Sequence, residues 1–310
     1  MKEADCNVRD AINRGIIPGP RLFVATRIIA STGAYETRTE NHIGGTCVPM
    51  GADSADGVDD IRKAVRRRIA AGADIIKFYA DYRRRIMRFP PKQQHPYIAG
   101  VQFPPKLPNP DSILFSQEEM DVIVSEAEMA DCPVAAHCGS NAAVVAAAKA
   151  GALTIEHAYS ADDATLKVMK EHGCIFVPTL AVCERFFGPR MKGILATTKR
   201  AFELGVKMAC GGDTGTFPHG DNAREIELML DAGAPLEEVL AAATVGGWEA
   251  CGGDRCGRRF GWFEAGVAAD IIALDKDPRN ADSSDFLRTV NFVMKDARIW
   301  KQDGKAVGMV

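Results

Sequence analysis

Four polar side chains close short apolar runs in this chain. Lys77 lies in Asp74-Ile75-Ile76-Lys77-Phe78-Tyr79-Ala80 and His137 in Val134-Ala135-Ala136-His137-Cys138-Gly139. His157 lies in Thr154-Ile155-Glu156-His157-Ala158, and Asp213 ends Met208-Ala209-Cys210-Gly211-Gly212-Asp213. Two imidazoles and a carboxylate brought together suit a divalent metal such as zinc. Such an ion lowers the pKa of a bound water towards ~7, and a nearby carboxylate can take its proton, which is the chemistry of hydrolysis. Singly, each residue has a plainer reading. A histidine at a strand end is often only hydrogen-bonded, a lysine snorkels or pairs, and an aspartate before Thr214-Gly215 caps a helix or fixes a turn. A lysine at the end of a barrel strand is also where a Schiff-base nucleophile sits, but that chemistry needs neither histidine. Joint occurrence at equivalent places in successive strand–helix units favours the metal site.

Those places depend on the elements around them. Residues 21–30, 74–80, 133–139, 153–159, 174–180 and 206–213 read as strands, and 57–71, 116–130, 141–150, 161–172 and 197–204 as helices. Gly72, Gly151, Gly173 and Gly205 each follow a helix, where a left-handed residue terminates it. Strands apolar on both faces and separated by helices predict a parallel sheet, as in a (β/α)8 TIM barrel or a doubly wound sheet. In a barrel, side chains from different strands converge at the C-terminal ends. Residues 83–116 break the rhythm with prolines at 90, 91, 96, 104, 105, 108 and 110, as expected of a loop over the site. Helices are expected again at 223–232 and 235–243. From 257 onward the pattern turns to strands at 269–274, 289–295 and 297–301, with Asp303-Gly304 as a hairpin turn. The division expected is therefore 1–256 for the α/β part and 257–310 for a small β part.

The partner expected is a small-molecule substrate, and the composition makes no case for a macromolecular one. The 310 residues are 46% hydrophobic and 25% charged, and 38 Lys and Arg against 41 Asp and Glu leave a net charge of −3. That balance argues against nucleic acid and against an anionic membrane surface. The basic run Arg83-Arg84-Arg85 with Arg88 reads as a solvated loop. No apolar stretch approaches the ~20 residues of a membrane span. The acidic, polar start Met1-Lys2-Glu3-Ala4-Asp5 does not read as a signal peptide. The nine cysteines are scattered, and Cys251 and Cys256 lack a second pair at zinc-finger spacing, so reduced thiols in a cytoplasmic protein are expected.

The ordered set Gly72-Ala73-Asp74-Ile75-Ile76-Lys77, Ala136-His137, Ile155-Glu156-His157 and Gly212-Asp213-Thr214 resembles the amidohydrolase superfamily. The likeness is to the branch of imidazolonepropionase-related proteins, Xaa-Pro dipeptidases and the ochratoxin-hydrolysing amidase. It continues through Asn222–Leu228, Asp231-Ala232-Gly233, Ala243-Thr244, 261–266 and 268–274, so it covers nearly the whole chain. The resemblance implies a TIM-barrel hydrolase of amide-like carbon–nitrogen bonds with a β-sandwich portion. It implies one or two divalent ions, zinc foremost, with Lys77 as a carbamate bridging them. His137 and His157 would be ligands of the more exposed ion, and Asp213 both ligand and acid/base. Tyr35, Tyr79 and His219 would be pocket residues that contact substrate, with Asp81 and Tyr82 beside them.

One departure is plain. The resemblance implies a His-X-His motif on the first barrel strand, but the six histidines stand at 42, 95, 137, 157, 172 and 219. The opening segment from Asn7 to Gly15 resembles the family's second barrel helix. The expectation is thus an incomplete barrel of six strands without strands one and two, joined to the C-terminal part of a sandwich. Unpaired strand edges would invite association into a homo-oligomer. Turnover is expected to be weak, or lost altogether if the chain is an impaired relative.

Overall fold

The computed structural model of the chain describes residues 3–34, 51–83, 111–215, 219–280 and 284–308. In chain order these form α1 (Ala4–Asn13), β1 (Ile29–Ala30), β2 (Asp53–Ser54), α2 (Val58–Ala70), β3 (Ile76–Tyr79), β4 (Asp81–Arg83), β5 (Asp111–Ile113), α3 (Gln117–Glu128) and β6 (Val134–Cys138). Then come α4 (Asn141–Ala150), β7 (Thr154–His157), α5 (Asp163–Glu171), β8 (Ile175–Val177), α6 (Leu180–Phe186), α7 (Met191–Leu204) and β9 (Lys207–Met208). The remainder is α8 (Ala223–Asp231), α9 (Leu236–Ala243), α10 (Val245–Ala250), β10 (Ile271–Leu274), β11 (Val290–Lys295), β12 (Arg298–Gln302) and β13 (Lys305–Ala306).

Seven strands make one parallel sheet in the order β2-β1-β3-β6-β7-β8-β9. Among the described residues β2 and β9 each have a single strand neighbour, so the sheet is open. Its connections carry helices whose apolar stripes face it. In α2 the stripe is Ile61, Ala64 and Val65; in α3 it is Met120, Ile123, Val124 and Ala127, spaced three and four apart. A capping box between Ser116 and Glu119 starts α3, Ser140 caps α4 and Asp162 caps α5. The glycines expected to end helices do so: Gly72, Gly151, Gly173 and Gly205 all have positive φ.

The strands differ from expectation in number and length. Segment 21–30 pairs only at Ile29–Ala30 because the Val24 and Thr26 amides donate to the carboxylates of Asp74 and Asp5 instead of to a neighbouring strand. Segment 206–213 leaves the sheet after Met208, and its Cys210 amide donates to the Ala242 carbonyl at the end of α9. The seventh strand, Asp53–Ser54, is short and polar and shows no sequence pattern. The proline-rich segment leaves and returns through the antiparallel pair β4–β5. Residues 84–110 lie outside the described residues, so the loop expected there is not placed.

The C-terminal strands form a separate antiparallel sheet, β10-β11-β12-β13, turning at Asp303-Gly304, both at positive φ. Arg21 links it to the segment before β1 through Asp270 and Asp296. Arg288 reaches back to α8, where Glu227 also accepts from Arg224 at 3.0 Å. The Arg288 hydrogen bonds, with Arg224 adding to them, hold the Glu227 carboxyl below the usual carboxylate range. A depressed folded-state pKa contributes stability above the unfolded value of ~4.3, and that contribution disappears as pH falls through the folded value. Replacing Glu227 by Gln is therefore expected to flatten the loss of stability as pH falls below the unfolded value of ~4.3, read as urea midpoints. Parallel curves for variant and wild type would remove Glu227 from the acid response.

No helix among the described residues is long and apolar enough to cross a membrane. The eight cysteines among them are free thiols.

Candidate active site

Alternation along the strands sorts side chains into two sets. Ile76 and Phe78, Val134, Ala136 and Cys138, Ile155, and Phe176 enter the main core with the helices. Lys77, Tyr79, Ala135, His137, Thr154 and Glu156 therefore take the opposite face. Register then builds layers across that face. Tyr79, His137 and Glu156 are direct neighbours on β3, β6 and β7, and Lys77 lies one layer below, beside Ala135 and Thr154. Lys77 makes an ion pair with Glu156, whose other oxygen accepts from Thr154.

His157 departs from the alternation. It follows Glu156 directly, and regular pleating would turn it to the Ile155 side. Instead its φ is 76°, and its ring meets the His137 ring edge-on with centroids 4.4 Å apart. Its Nδ1 lies 2.8 Å from the Thr179 hydroxyl. Ala158, Thr179 and Asp213 also adopt positive φ, at 39°, 54° and 55°. For side chains other than glycine this conformation is costly, and it concentrates where surrounding contacts over-determine the backbone.

Two buried carboxylates hold the turns that follow site strands. Asp81 accepts from the Gly139 and Ser140 amides at 2.7 and 2.8 Å and from the Ser140 hydroxyl, which fixes the chain just past His137. Gly139 lets the Asp111 carboxylate come close there, since a Cβ would stand 2.5 Å from one of its oxygens and the side chain would have to shift. Glu225 accepts from the Leu180 and Ala181 amides at 2.8 and 2.7 Å, just past β8.

Burial governs the charges. It keeps the His157 imidazole neutral, well below the usual histidine range, with His137 and Lys77 adding to the effect. It raises the carboxyl of Asp213, which Lys77 draws down and Glu156 pushes up. It lifts Asp81, against the hydrogen bonds it accepts, and takes Glu225 up to about 7. The donor set is therefore compatible with a divalent ion. If Nδ1 of neutral His157 donates to Thr179, the Nε2 lone pair is left for a metal, the arrangement metal-binding histidines use. Lys77 is near enough to act electrostatically on both His157 and Asp213. Among the described residues, however, no three His, Cys, Asp or Glu side chains are drawn into one ligand cluster. His137 and His157 meet, whereas Asp213 sits five residues past the end of β9 rather than at its tip.

An aromatic wall surrounds the two imidazoles. Tyr82 stacks on His137 at 5.2 Å, Tyr79 meets it edge-on at 4.9 Å, and Tyr159 lies 5.4 Å from His157 with Phe187 beyond it. Tyr79 thus stands at the site. His219 is exposed and joins none of the described site contacts. Tyr35 lies outside the described residues. Sequence reasoning passed over Glu156, Tyr159, Thr179 and Glu225. The first two sit in the same runs as His157, and alternation with Thr154 marks Glu156 as inward-facing.

Residues 2–303 match the profile of the amidohydrolase family. The chain is 30% identical to the ochratoxinase of Aspergillus niger over an alignment of 338 positions, covering 96% of this chain and 64% of the fungal protein. It thus spans slightly under two thirds of the length of the first curated relatives it matches. An uncharacterised protein of Mycobacterium tuberculosis is 30% identical over 183 positions, 54% of this chain and 48% of that one. Among solved structures, a Xaa-Pro dipeptidase with methionine bound in its active site superposes with a TM-score of 0.77 at 29% identity, covering 96% of this chain and 72% of its own. The A. niger ochratoxinase structure superposes with a TM-score of 0.78 at 27% identity, covering 99% and 72%. These relatives are TIM barrels, and the parallel sheet with its covering helices is the corresponding part of that fold. Because the family match runs almost from end to end and the architecture agrees with it, the chain belongs to the amidohydrolase family.

Proposed function

We propose that this chain is a hydrolase of amide-like carbon–nitrogen bonds, acting on a dipeptide, an N-acyl amino acid or a cyclic amide with the help of a divalent metal ion. The observation that carries the reading is the meeting of the His137 and His157 rings beside Lys77 on one face of the parallel sheet. The relatives' names, an ochratoxinase and a Xaa-Pro dipeptidase, agree with amide hydrolysis. Lys77, His137, His157 and Asp213 would hold the ion, with zinc the first candidate because two neutral imidazoles suit it. The ion, when bound, supplies Lewis acidity towards the scissile carbonyl and the attacking water.

The chain's own groups do the rest. Asp213 takes a proton from the attacking water and returns it to the leaving nitrogen, a role its raised carboxyl pKa favours. Tyr79, Tyr82, Tyr159 and Phe187 shield the imidazoles from bulk water. A carbamate on Lys77 forms when the neutral Nζ adds to carbon dioxide and releases one proton, so it requires Lys77 to leave its ion pair with Glu156. Residues 1–256 carry this chemistry, and 257–310 serve as the sandwich portion. The place of action is the cytoplasm and the partner a small molecule.

The histidine spacing favours a second reading, in which the chain binds a single ion and turns substrate over weakly, because no two histidines of this sequence form His-X-His. Both readings are tested by counting zinc per chain by mass spectrometry and by assaying a panel of dipeptides and N-acyl amino acids, with and without zinc and bicarbonate. One zinc per chain with zinc-dependent turnover is expected. Turnover that ignores zinc would sink the metal assignment, and zinc binding with only weak turnover, or none, would select the second reading.

A further inference from the structure

Glu225 is a buried carboxylate that the proposed chemistry does not use. It lies on α8 with 1% of its surface exposed, and its two oxygens accept backbone amides, from Leu180 and Ala181. A carboxylate with two acceptor oxygens satisfies two adjacent N–H groups at once. A carboxamide of the same shape would turn an NH2 towards one of them. The residue before this clamp is Thr179, itself 3% exposed and held at φ 54°, a conformation that β-branched residues rarely adopt. Its hydroxyl meets Nδ1 of His157 at 2.8 Å. Two restraints therefore converge on Thr179, the clamped amides on one side and the imidazole on the other.

We propose that Glu225 is a positioning residue for the His157 ring, acting through the clamped turn at residues 179–181 and the Thr179 hydroxyl. The clamp holds Thr179 in its left-handed conformation, which aims the hydroxyl oxygen at Nδ1. Where the hydroxyl oxygen accepts from Nδ1–H, the imidazole keeps its proton there and Nε2 is the ligand atom. A plain structural role, closing the start of α6, would stabilise the chain without setting the ring's tautomer. The inference rests on the reading of His157 as a metal ligand, and the test keeps the two apart.

The test uses the full chain with Glu225→Gln, Glu225→Asp, Thr179→Val, Thr179→Ser and the Glu225→Gln/Thr179→Val pair. Zinc affinity is measured by competition with a chromophoric chelator, and the His157 tautomer by 15N NMR of the metal-free chain. Substitutions of groups that orient a metal-binding histidine typically cost 10–100-fold in metal affinity. Glu225→Gln and Thr179→Val are each expected to weaken zinc by about that factor and to move the His157 ring away from the Nδ1–H tautomer. Thr179→Ser keeps the hydroxyl and is expected to restore both, and the pair is expected to match the stronger single variant. A Glu225→Gln chain that melts earlier but keeps zinc affinity and tautomer would overturn the proposal, as would multiplying effects in the pair. If Glu225→Gln does not fold, Glu225→Asp, which shortens the clamp, decides by the same two readouts. His157→Ala is the control: unchanged zinc affinity there removes His157 from the metal site, while the tautomer of the Glu225 variants still decides what Glu225 positions.

Discussion

Replacing Asp213 by Asn is expected to lower the turnover of an amide substrate by about 10²–10⁴-fold, the usual contribution of a positioned general acid or base. The change keeps the shape of the side chain and removes its ability to hold a proton in transit. Asp213 suits the task because burial raises its carboxyl while Lys77 draws it down, so its proton affinity is set by two opposed local effects. Its φ of 55° belongs with the positive angles of His157, Ala158 and Thr179, which follow the neighbouring site strands. Zinc binding separates the two roles given to Asp213. If it acts chiefly as acid/base, the Asp213→Asn chain loses kcat and keeps most of its zinc; if chiefly as ligand, zinc affinity falls with kcat. A variant that keeps turnover within about threefold of wild type would take Asp213 out of the chemistry altogether, since even one lost transition-state contact typically costs 10²–10³.

The strand-end residues were legible because parallel strands leave a strong sequence mark. A run such as Val134-Ala135-Ala136-His137 is apolar on both faces, and polar side chains closing several such runs at equivalent places single out a site where one histidine alone would not. Lys77 and His137 accordingly stand on one face, one layer apart. Asp213 was expected to close a strand over 206–213, but the strand ends at Met208 and a Gly-Gly pair carries the chain onward to Asp213, so the pattern marked the residue while overextending its strand. What stayed hidden depends on tertiary contact. Nothing in Val177-Pro178-Thr179-Leu180 shows that Thr179 takes a left-handed backbone and meets His157, since the restraint comes from Glu225 on α8, far along the chain. Glu225 had a faint signal of its own: it shares a helix face with Leu228 and Met229, where an exposed glutamate would not lie. The Asp53–Ser54 strand carried none, because two polar residues hold no period.

Truncating Phe78 to Ala is expected to cost roughly 3–5 kcal/mol of stability, the upper end of what a single core substitution does. Phe78 is fully buried on β3, between Lys77 and Tyr79, and its ring packs 6.2 Å from that of Phe115. The same cluster contains Ile61 and Ala64 of α2 and Met120 and Ile123 of α3, so the ring fills the space where two helices meet the sheet. Removing it forfeits the transfer energy of the ring and leaves a cavity that close-packed neighbours fill only in part. For large domains each kcal/mol shifts the melting temperature by about 2–4 °C, so a drop of roughly 6–20 °C is expected in a thermal melt. The effect should reach the site, because loosening Phe78 frees the strand segment that fixes Lys77 against Glu156 and Tyr79 against His137. Zinc affinity of the folded Phe78→Ala chain, measured well below its melting temperature, is therefore expected to fall with stability. Phe78→Leu is expected to lie between that chain and wild type on both measures. A Phe78→Ala chain within about 1 kcal/mol of wild type would show that the helices close over the gap. A large loss of stability with unchanged zinc binding would show that the strand's hydrogen bonds to β6, and not the ring behind them, hold Lys77 in place.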